Sequence, residues 1–293
     1  MMIKKILVPV DFSSLSRKAL VTAGSVARLF KAKVTPLHVF MPVTEMDEPY
    51  SFGLTGSTWQ DLEKVEEDLV VRLRELSTDL VPAEFLLDPV VEMGQPSRSI
   101  VDLSSSYDMI VMSTHGRTGF SRMILGSVAE KVLRMSPVPV MVVEGSSEPG
   151  NFEKILVTTD FSDNASAAYP WARTFCEQSG GSVHLLHILS YSQIGMDESD
   201  SRLLDLRKER LKLSAKSAFS DLGNRATYEV AETADSPHEA IYRHTDENQY
   251  DLVIMATVGR TGLQYLMMGS TTANVVRHVE SPVLSIPPIK EQE

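Results

Sequence analysis

Apolar runs and helically spaced apolar residues alternate along the chain. Ile6 to Val8 is a continuous apolar run, which is typical of a parallel strand buried on both faces. Apolar residues then recur at helical spacing from Leu15 to Ala27, and Val34 to Phe40 has the pattern of a second strand. A second helical pattern runs from Leu62 to Leu76. This alternation predicts parallel strands joined by crossover helices.

The alternation continues to the middle of the chain. It predicts a strand from Phe85 to Val91, a short helix that opens at Pro96, and a strand from Met109 to Ser113. A helix is expected near Ser127–Met135, followed by a last strand from Val138 to Val143. The first half of the chain is therefore predicted to contain a complete set of five strands.

The second half repeats the first. Lys5–Ser13, KILVPVDFS, matches Lys154–Ser162, KILVTTDFS, at seven of nine positions. Tyr107–Thr114 matches Tyr250–Thr257 at four of eight positions. Self-similarity of this kind indicates an internal duplication, and we expect the second copy to extend from Ile155 to Ile286.

The duplicated pattern predicts an α/β fold with two tandem, doubly wound domains. Each is expected to be an open, five-stranded, mostly parallel sheet with helices on both faces, of the Rossmann-like type. The polar, Gly/Ser/Pro-rich segment Glu144–Asn151 marks the boundary, so the predicted domains are 1–146 and 151–293. The first copy is about six residues longer between its matched segments, and we place most of that insertion in Met41–Thr58.

Composition narrows the class of protein. The 293 residues have a formal charge of −11, both halves are acidic, and no dense block of Lys or Arg occurs. These features argue against a surface for nucleic acid or anionic membrane. No apolar stretch approaches the roughly 18 residues of a membrane span, and a single cysteine, Cys176, fits a reducing compartment. We expect a cytoplasmic protein.

Two glycine loops carry the candidate chemistry. Residues 113–127, STHGRTGFSRMILGS, and residues 256–270, ATVGRTGLQYLMMGS, share Gly-Arg-Thr-Gly, six further residues and Gly-Ser. Glycines let backbone N–H groups face a ligand, and a helix N-terminus adds donors and a positive dipole end, which suits a phosphate. Asp11 and Asp160 follow the first strands and are expected at the same edge, where a carboxylate can accept from ribose hydroxyls. Neither GxxxxGK[ST] nor GxGxxG occurs.

These residues resemble the universal stress protein family in its tandem form, over essentially the whole chain. The nucleotide-binding members of that family have an aspartate after the first strand and a Gly-x2-Gly-x9-Gly-[Ser/Thr] loop. Both copies depart from this pattern at its first glycine, where they have Ser113 and Ala256. A backbone that needs positive φ would be strained at those two positions. The second loop is also less polar, since Val258 takes the place of His115.

The resemblance implies one adenine-nucleotide site per copy. The aspartate would face the ribose and base, the end of the second strand would offer its backbone to adenine, and the glycine loop would cradle the phosphates. Each loop arginine either pairs with a phosphate or is a solvated side chain. In the first copy the implied residues are Asp11, Val39, Ser113, Gly116, Arg117, Gly126, Ser127 and Val128. In the second copy they are Asp160, Ile188, Ala256, Gly259, Arg260, Gly269, Ser270 and Thr271.

The resemblance also implies a function. The ligand would be ATP, or ADP or AMP, with Mg²⁺ or Mn²⁺ beside the phosphates, and it would act as a regulatory ligand in a stress response. Partners would be protein partners or a second copy in a homodimer. The last strands, Val138–Val143 and Val283–Ile286, would pair across the two domains as a pseudo-dimer. Two alternatives stay open: an interaction protein with degenerate clefts, and a slow ATP hydrolase or phosphotransferase.

Local patterns allow simpler interpretations of some residues. Ser127 followed by Glu130 matches a helix capping box, which by itself would explain a serine at a helix start. His38 and His187 lie on apolar strands, where a structural hydrogen bond is favoured over a ligand role. No spacing typical of a catalytic set or of metal ligands occurs along the chain, so binding is favoured over catalysis.

Overall fold

The computed structural model describes residues 2–41, 59–115, 125–144, 150–191, 201–259 and 268–288. Nearly all of the predicted Met41–Thr58 insertion lies outside these residues. Helices and strands alternate through both halves, as the apolar pattern predicts. No helix among the described residues is long and apolar enough to span a bilayer.

The first half contains five strands and four helices among its described residues. The strands are β1 Lys5–Pro9, β2 Lys33–Phe40, β3 Val90–Met93, β4 Met109–Ser113 and β5 Val140–Val143. The helices are α1 Ser14–Phe30, α2 Trp59–Leu80, α3 Pro96–Ser104 and α4 Ser127–Met135.

The second half repeats this order. Its strands are β6 Lys154–Thr158, β7 Ser182–Ser190, β8 Ala226–Thr233, β9 Leu252–Ala256 and β10 Val283–Ile286. Its helices are α5 Asp163–Ser166, α6 Ala168–Ser179, α7 Ser201–Phe219, α8 Pro237–Asn248 and α9 Ser270–His278, and a 3-10 turn, Ser220–Arg225, precedes β8.

Two prolines explain where the copies differ locally. The strand predicted from Phe85 begins only at Val90. Residues 83–85 form a turn, Leu86 makes an isolated parallel bridge with Val34, and Pro89 has no N–H to donate to a ladder. In the second copy the first helix is divided at Ala167, whereas α1 is continuous. Pro170 lies just beyond this break and cannot donate the backbone hydrogen bond that a continuous helix would require.

All ten strands form one sheet in the order β3-β2-β1-β4-β5-β10-β9-β6-β7-β8. Within each half the strands are parallel, and the two halves meet where β10 pairs with β5 antiparallel, with Leu284 opposite Met141. The structure therefore has the pairing of last strands that the family resemblance implies. Because this one pair is antiparallel, the carboxyl ends of the strands point to opposite edges of the sheet in the two halves.

The core lies on both faces of this sheet. Ile6 and Val8 belong to one buried apolar cluster and Leu7 belongs to the other, so neighbouring residues of β1 point to opposite faces. Each cluster contains residues of both halves. Strands buried on both faces need continuous apolar runs, which explains why the strand signal in the sequence is so clear.

Three phenylalanines join the halves on one face of the sheet. Phe175 on α6 is fully buried, and its ring centroid lies 4.9 Å from that of Phe30 on α1 and 5.5 Å from that of Phe152. Both contacts have the edge-to-face geometry that aromatic rings favour. Phe175 is thus a packing contact between the first and second copies.

Replacing Phe175 with alanine is expected to lower the free energy of unfolding of the whole chain by about 3–5 kcal/mol, because it leaves a cavity between the halves. Chemical denaturation followed by circular dichroism measures this loss. Leu206→Ala is the control, since Leu206 is 68% exposed and its truncation should change stability by less than about 0.5 kcal/mol. Equal losses in the two variants would contradict the packing role of Phe175.

Candidate functional site

Each half places an aspartate where the order of strands reverses. Asp11 follows β1 and Asp160 follows β6, and the reversal lies between β1 and β4 and between β6 and β9. Neighbouring loops leave in opposite directions at such a point, which opens a crevice at the carboxyl ends of the strands. The two predicted aspartates therefore lie beside the two crevices of the sheet.

The aspartates hold a tight turn. Asp11 Oδ1 accepts from the Ser13 N–H at 3.0 Å, and Asp160 Oδ1 accepts from the Ser162 N–H at 2.9 Å. The next residues, Phe12 and Phe161, both have a φ of 65°. A bulky residue rarely adopts this conformation, and it occurs at the same place in both copies, so the turn is a conserved feature of the duplicated unit.

A buried histidine supports each turn from the second strand. His38 Nδ1 lies 2.6 Å from the Val10 carbonyl oxygen, and its ring centroid lies 4.6 Å from that of Phe12. His187 makes the same pair of contacts in the second copy, 2.7 Å to the Thr159 carbonyl oxygen and 4.2 Å to the Phe161 ring. Both histidines thus make structural contacts, in agreement with the interpretation favoured from sequence.

An arginine lies over the aromatic ring of each turn. The guanidinium carbon of Arg72 is 4.4 Å from the Phe12 ring centroid, and that of Arg210 is 4.7 Å from the Phe161 ring centroid. Arg210 also donates to the Phe161 carbonyl oxygen at 3.0 Å. Both arginines bring positive charge beside the turns that border the crevices. Sequence reasoning missed them, because the contact arises only when α2 and α7 pack against turns far away in the chain.

The last glycine of each loop closes back on the preceding strand. Gly126 N–H donates to the Thr114 carbonyl oxygen at 2.9 Å, and Gly269 N–H donates to that of Thr257 at 2.8 Å. Gly126 has extended backbone angles, so positive φ is not the reason for glycine here. A Cβ on Gly126 would lie 2.8 Å from the Thr114 oxygen, which is closer than real contacts allow. The close approach of the two backbones requires the glycine.

The helices that follow begin with glycine, which has no side chain to act as a cap. Gly126 and Gly269 are the N-cap residues of α4 and α9, and Ser127 and Ser270 are exposed residues of the first turns. The capping box predicted from Ser127 and Glu130 is therefore wrong, because the cap lies one residue earlier and glycine has no side chain to accept a bond. No side chain in the described ranges caps either helix. The first amides of both helices thus have no side-chain acceptor within the part of the chain that the structure describes.

The glycine loop and the aspartate turn meet directly in the second copy. A Cβ on Gly259 would lie 2.6 Å from Asp160 Oδ2, so this glycine allows the loop to lie against the carboxylate. Sequence reasoning predicted that these two residues share a site, and the fold brings them into contact. Gly116, the first-copy counterpart of Gly259, lies outside the described residues. So do the loop arginines Arg117 and Arg260.

The missing first glycines do not strain the backbone. Ser113 and Ala256 are the last residues of β4 and β9, and neither has a positive φ. The strain expected from the family pattern is absent, because both residues continue the extended strand. Ser113 Oγ donates to the His115 carbonyl oxygen at 2.9 Å, so the serine helps to hold the start of the loop.

Val39 and Ile188, the residues predicted to contact adenine, lie near the carboxyl ends of the second strands, β2 and β7. The Leu37 carbonyl oxygen accepts from the Val10 N–H at 2.7 Å, and the pairing of β1 with β2 ends at Leu37. Strand residues two apart point their backbone groups to the same side, so those of Val39 face the crevice beyond the end of β1. Ile188 has the same position relative to Leu186 in the second copy. Val128 and Thr271 lie in the first turns of α4 and α9.

Comparison with known proteins gives a consistent result for both halves. The model of the universal stress protein family matches residues 2–144 and again residues 151–287. A universal stress protein of Mycolicibacterium smegmatis is 23% identical over 293 residues, with 97% of each chain covered. Universal stress protein MJ0577 of Methanocaldococcus jannaschii is 30% identical over 155 residues, which are 46% of this chain and 94% of the relative.

Solved structures agree on the fold. The crystal structure of a universal stress protein from Archaeoglobus fulgidus superimposes with a TM-score of 0.70 at 24% identity, and the match covers 97% of this chain and 96% of that one. At this identity the likeness concerns the fold alone. The family model, however, matches nearly the whole chain in two consecutive segments. The protein therefore belongs to the universal stress protein family, as a tandem member with two family domains in one chain.

Proposed function

We propose that this protein binds one adenine nucleotide, with ATP as the preferred ligand, in each of its two crevices as a regulatory ligand in a stress response. The observation that carries the proposal is the repeated placement of an aspartate turn beside a helix that opens with glycine and that no described side chain caps. Both features occur at the point of strand reversal in both copies. A crevice at that point is the usual ligand position in open α/β sheets.

The helix starts supply the site for the phosphates. The N-terminal amides of α4 and α9 have no side-chain cap among the described residues, and they lie at the positive end of the helix dipole. Gly126 and Gly269 keep Cβ atoms out of the approach, so a phosphate can reach the backbone. Arg72 and Arg210 add positive charge beside the same turns. Mg²⁺ or Mn²⁺ would accompany a triphosphate, held by phosphate oxygens and water.

The aspartate and the second strand supply the site for the nucleoside. One oxygen of Asp160 holds its own turn, while the second oxygen faces the glycine loop. A carboxylate in this position accepts hydrogen bonds from ribose hydroxyls, and the backbone groups at Val39 and Ile188 match the polar edge of adenine. The residues present therefore fit an adenine nucleotide from base to phosphate.

Binding can regulate the protein by mass action. A ligand that binds only the folded state stabilises that state by about 2.7 kcal/mol when its concentration is 100 times the dissociation constant. The same linkage selects between two conformations or two association states when their affinities for the nucleotide differ. The proposal is thus one of binding, and measurement of phosphate release over hours tests the hydrolase alternative.

The two sites can be separated with aspartate variants. Asn in place of Asp11 or Asp160 keeps a carbonyl oxygen for the turn but loses the charge that strengthens bonds to ribose. We expect each variant to weaken one site by roughly 10- to 100-fold, as the loss of a charged hydrogen bond predicts. Isothermal titration calorimetry with Mg-ATP should then show two binding sites of similar strength in the parent protein and one strong binding site in each variant.

This titration also tests the function as a whole. A parent chain that binds neither ATP, ADP nor AMP would refute nucleotide binding and leave the interaction-protein alternative. Unchanged affinity in both Asp11→Asn and Asp160→Asn would refute the assignment of the aspartates while leaving nucleotide binding intact.

Alanine at the two N-cap glycines should affect the two sites unequally. A Cβ at Gly126 would meet the Thr114 oxygen at 2.8 Å, whereas a Cβ at Gly269 would meet the Thr257 oxygen at 3.3 Å. Gly126→Ala must displace the helix start, so we expect it to weaken the first site more than Gly269→Ala weakens the second. Titration with Mg-ATP measures both effects.

Gly24→Ala serves as the matched control for these variants. Gly24 lies in α1, where an added Cβ would have ordinary contacts at 3.7 Å. Its replacement should leave both affinities unchanged. If Gly126→Ala also binds like the parent protein, the phosphates do not lie at the start of α4.

A further inference from the structure

Three side chains with metal-binding atoms converge in the second half, apart from the crevices. His184 lies on β7, Glu229 on β8 and His244 on α8, and one ligand atom from each lies within 4.8 Å of the other two. His184 is near the amino end of β7, whereas Ile188 lies near its carboxyl end. The cluster is therefore closer to the edge of the sheet opposite the second nucleotide site.

His184 points an unused nitrogen into this cluster. Its Nε2 is buried and has no hydrogen-bond partner among the described residues, and Glu229 Oε2 lies 3.7 Å away. Its Nδ1 lies 2.8 Å from Thr227 Oγ1. When Nδ1 carries the proton and donates to Thr227, Nε2 carries a lone pair. A bond of this kind from the second ring nitrogen is what fixes a histidine as a metal ligand.

His244 is held in place beside it. Its ring stacks on that of His184 with centroids 5.3 Å apart, and its Nε2 lies 3.0 Å from the Tyr250 hydroxyl oxygen. Lys154 Nζ lies 5.1 Å from the Tyr250 ring centroid and donates to the Asn248 carbonyl oxygen.

The cluster borders a partly open pocket. A space of about 170 Å³ is lined by all three side chains together with Thr227 and Tyr250. This volume is large enough for an ion and bound water, since one water needs roughly 10–15 Å³ of such space.

The first copy lacks all three ligands. Leu37 pairs with Val90 in the first copy, and the equivalent Leu186 pairs with Glu229 in the second copy. Val90 therefore has the position of Glu229. The alignment of Leu37 with Leu186 also places Thr35 where the second copy has His184. Alignment of the helix starts, Pro96 with Pro237, places Leu103 where the second copy has His244. The cluster is therefore not part of the packing that the duplicated fold needs, and it belongs to the second copy alone.

We propose that His184, Glu229 and His244 bind one divalent transition-metal ion of the Zn²⁺ class. Two imidazoles and one carboxylate are a common zinc set, with bonds of about 2.0–2.2 Å and a fourth position left to water. Ligand atoms at that bond length in a tetrahedral site lie about 3.3 Å apart. Side-chain rotations that move the ligand atoms by about 1 Å would therefore close the cluster around the ion. The ion would tie β8, the edge strand of the sheet, to β7 and α8.

The test is a calorimetric titration of ZnCl₂ into the full chain, stripped with a chelator and free of nucleotide and phosphate. We expect one ion per chain and a raised melting temperature. His184→Thr and His244→Leu, which introduce the residues of the first copy, should each weaken binding by at least about 100-fold. Thr227→Val should weaken it by roughly 10- to 100-fold, because it removes the contact that orients His184. Co²⁺ in place of Zn²⁺ reports the ligands through its visible absorption.

His278→Ala is the control, since His278 is an exposed histidine whose Nδ1 bonds the Asn274 carbonyl within its own helix. It should bind Zn²⁺ like the parent protein. Circular dichroism verifies folding, and Glu229→Gln on the exposed edge strand replaces any histidine variant that fails to fold. Absence of Zn²⁺ binding in the parent chain would overturn the proposal, and so would equal binding by the parent, His184→Thr and Glu229→Gln. ATP titrations are independent of this result.

Discussion

The antiparallel pairing of β5 with β10 is the constraint on which the rest of the structure depends. Without it, each half would end in a strand with unpaired N–H and C=O groups beside a buried apolar core. With it, ten strands form one sheet, and both apolar clusters run across the junction. The pairing also directs the two crevices to opposite edges of the sheet. Among the described residues, the shared sheet and core connect the two crevices.

The two candidate nucleotide sites follow from backbone geometry more than from individual side chains. Each requires a strand that ends in an aspartate turn, and a loop whose last residue is a glycine that bonds back to the end of the preceding strand. These requirements explain why the loops keep their last glycine while the first position accepts serine or alanine. The aromatic residue, histidine and arginine around each turn hold it in a strained conformation that the isolated segment would avoid.

Duplication gives the chain two domains with the same order of strands and helices. The two domains differ at positions that this shared fold does not constrain. Pro89 shortens a strand in one copy, and a proline early in the second copy divides a helix. The His184 cluster fills a position where the first copy has small or apolar residues. Its pocket lies away from the second crevice, so a metal there and a nucleotide in the crevice would occupy separate parts of one domain.

The sequence by itself determined the strands, the duplication and the edge of the sheet at which the aspartates and glycines meet. These features follow from local periodicity and from the rule that the carboxyl ends of parallel strands lie at the same edge of a sheet. The tertiary structure alone decided the rest. The prediction of a capping box at Ser127 is wrong because the backbone conformation makes Gly126 the N-cap residue, whatever the residue type at Ser127. The contacts of Arg72 and Arg210, and the meeting of His184, Glu229 and His244, join elements far apart in the chain. No spacing rule covers such contacts, because the packing of helices on the sheet creates them.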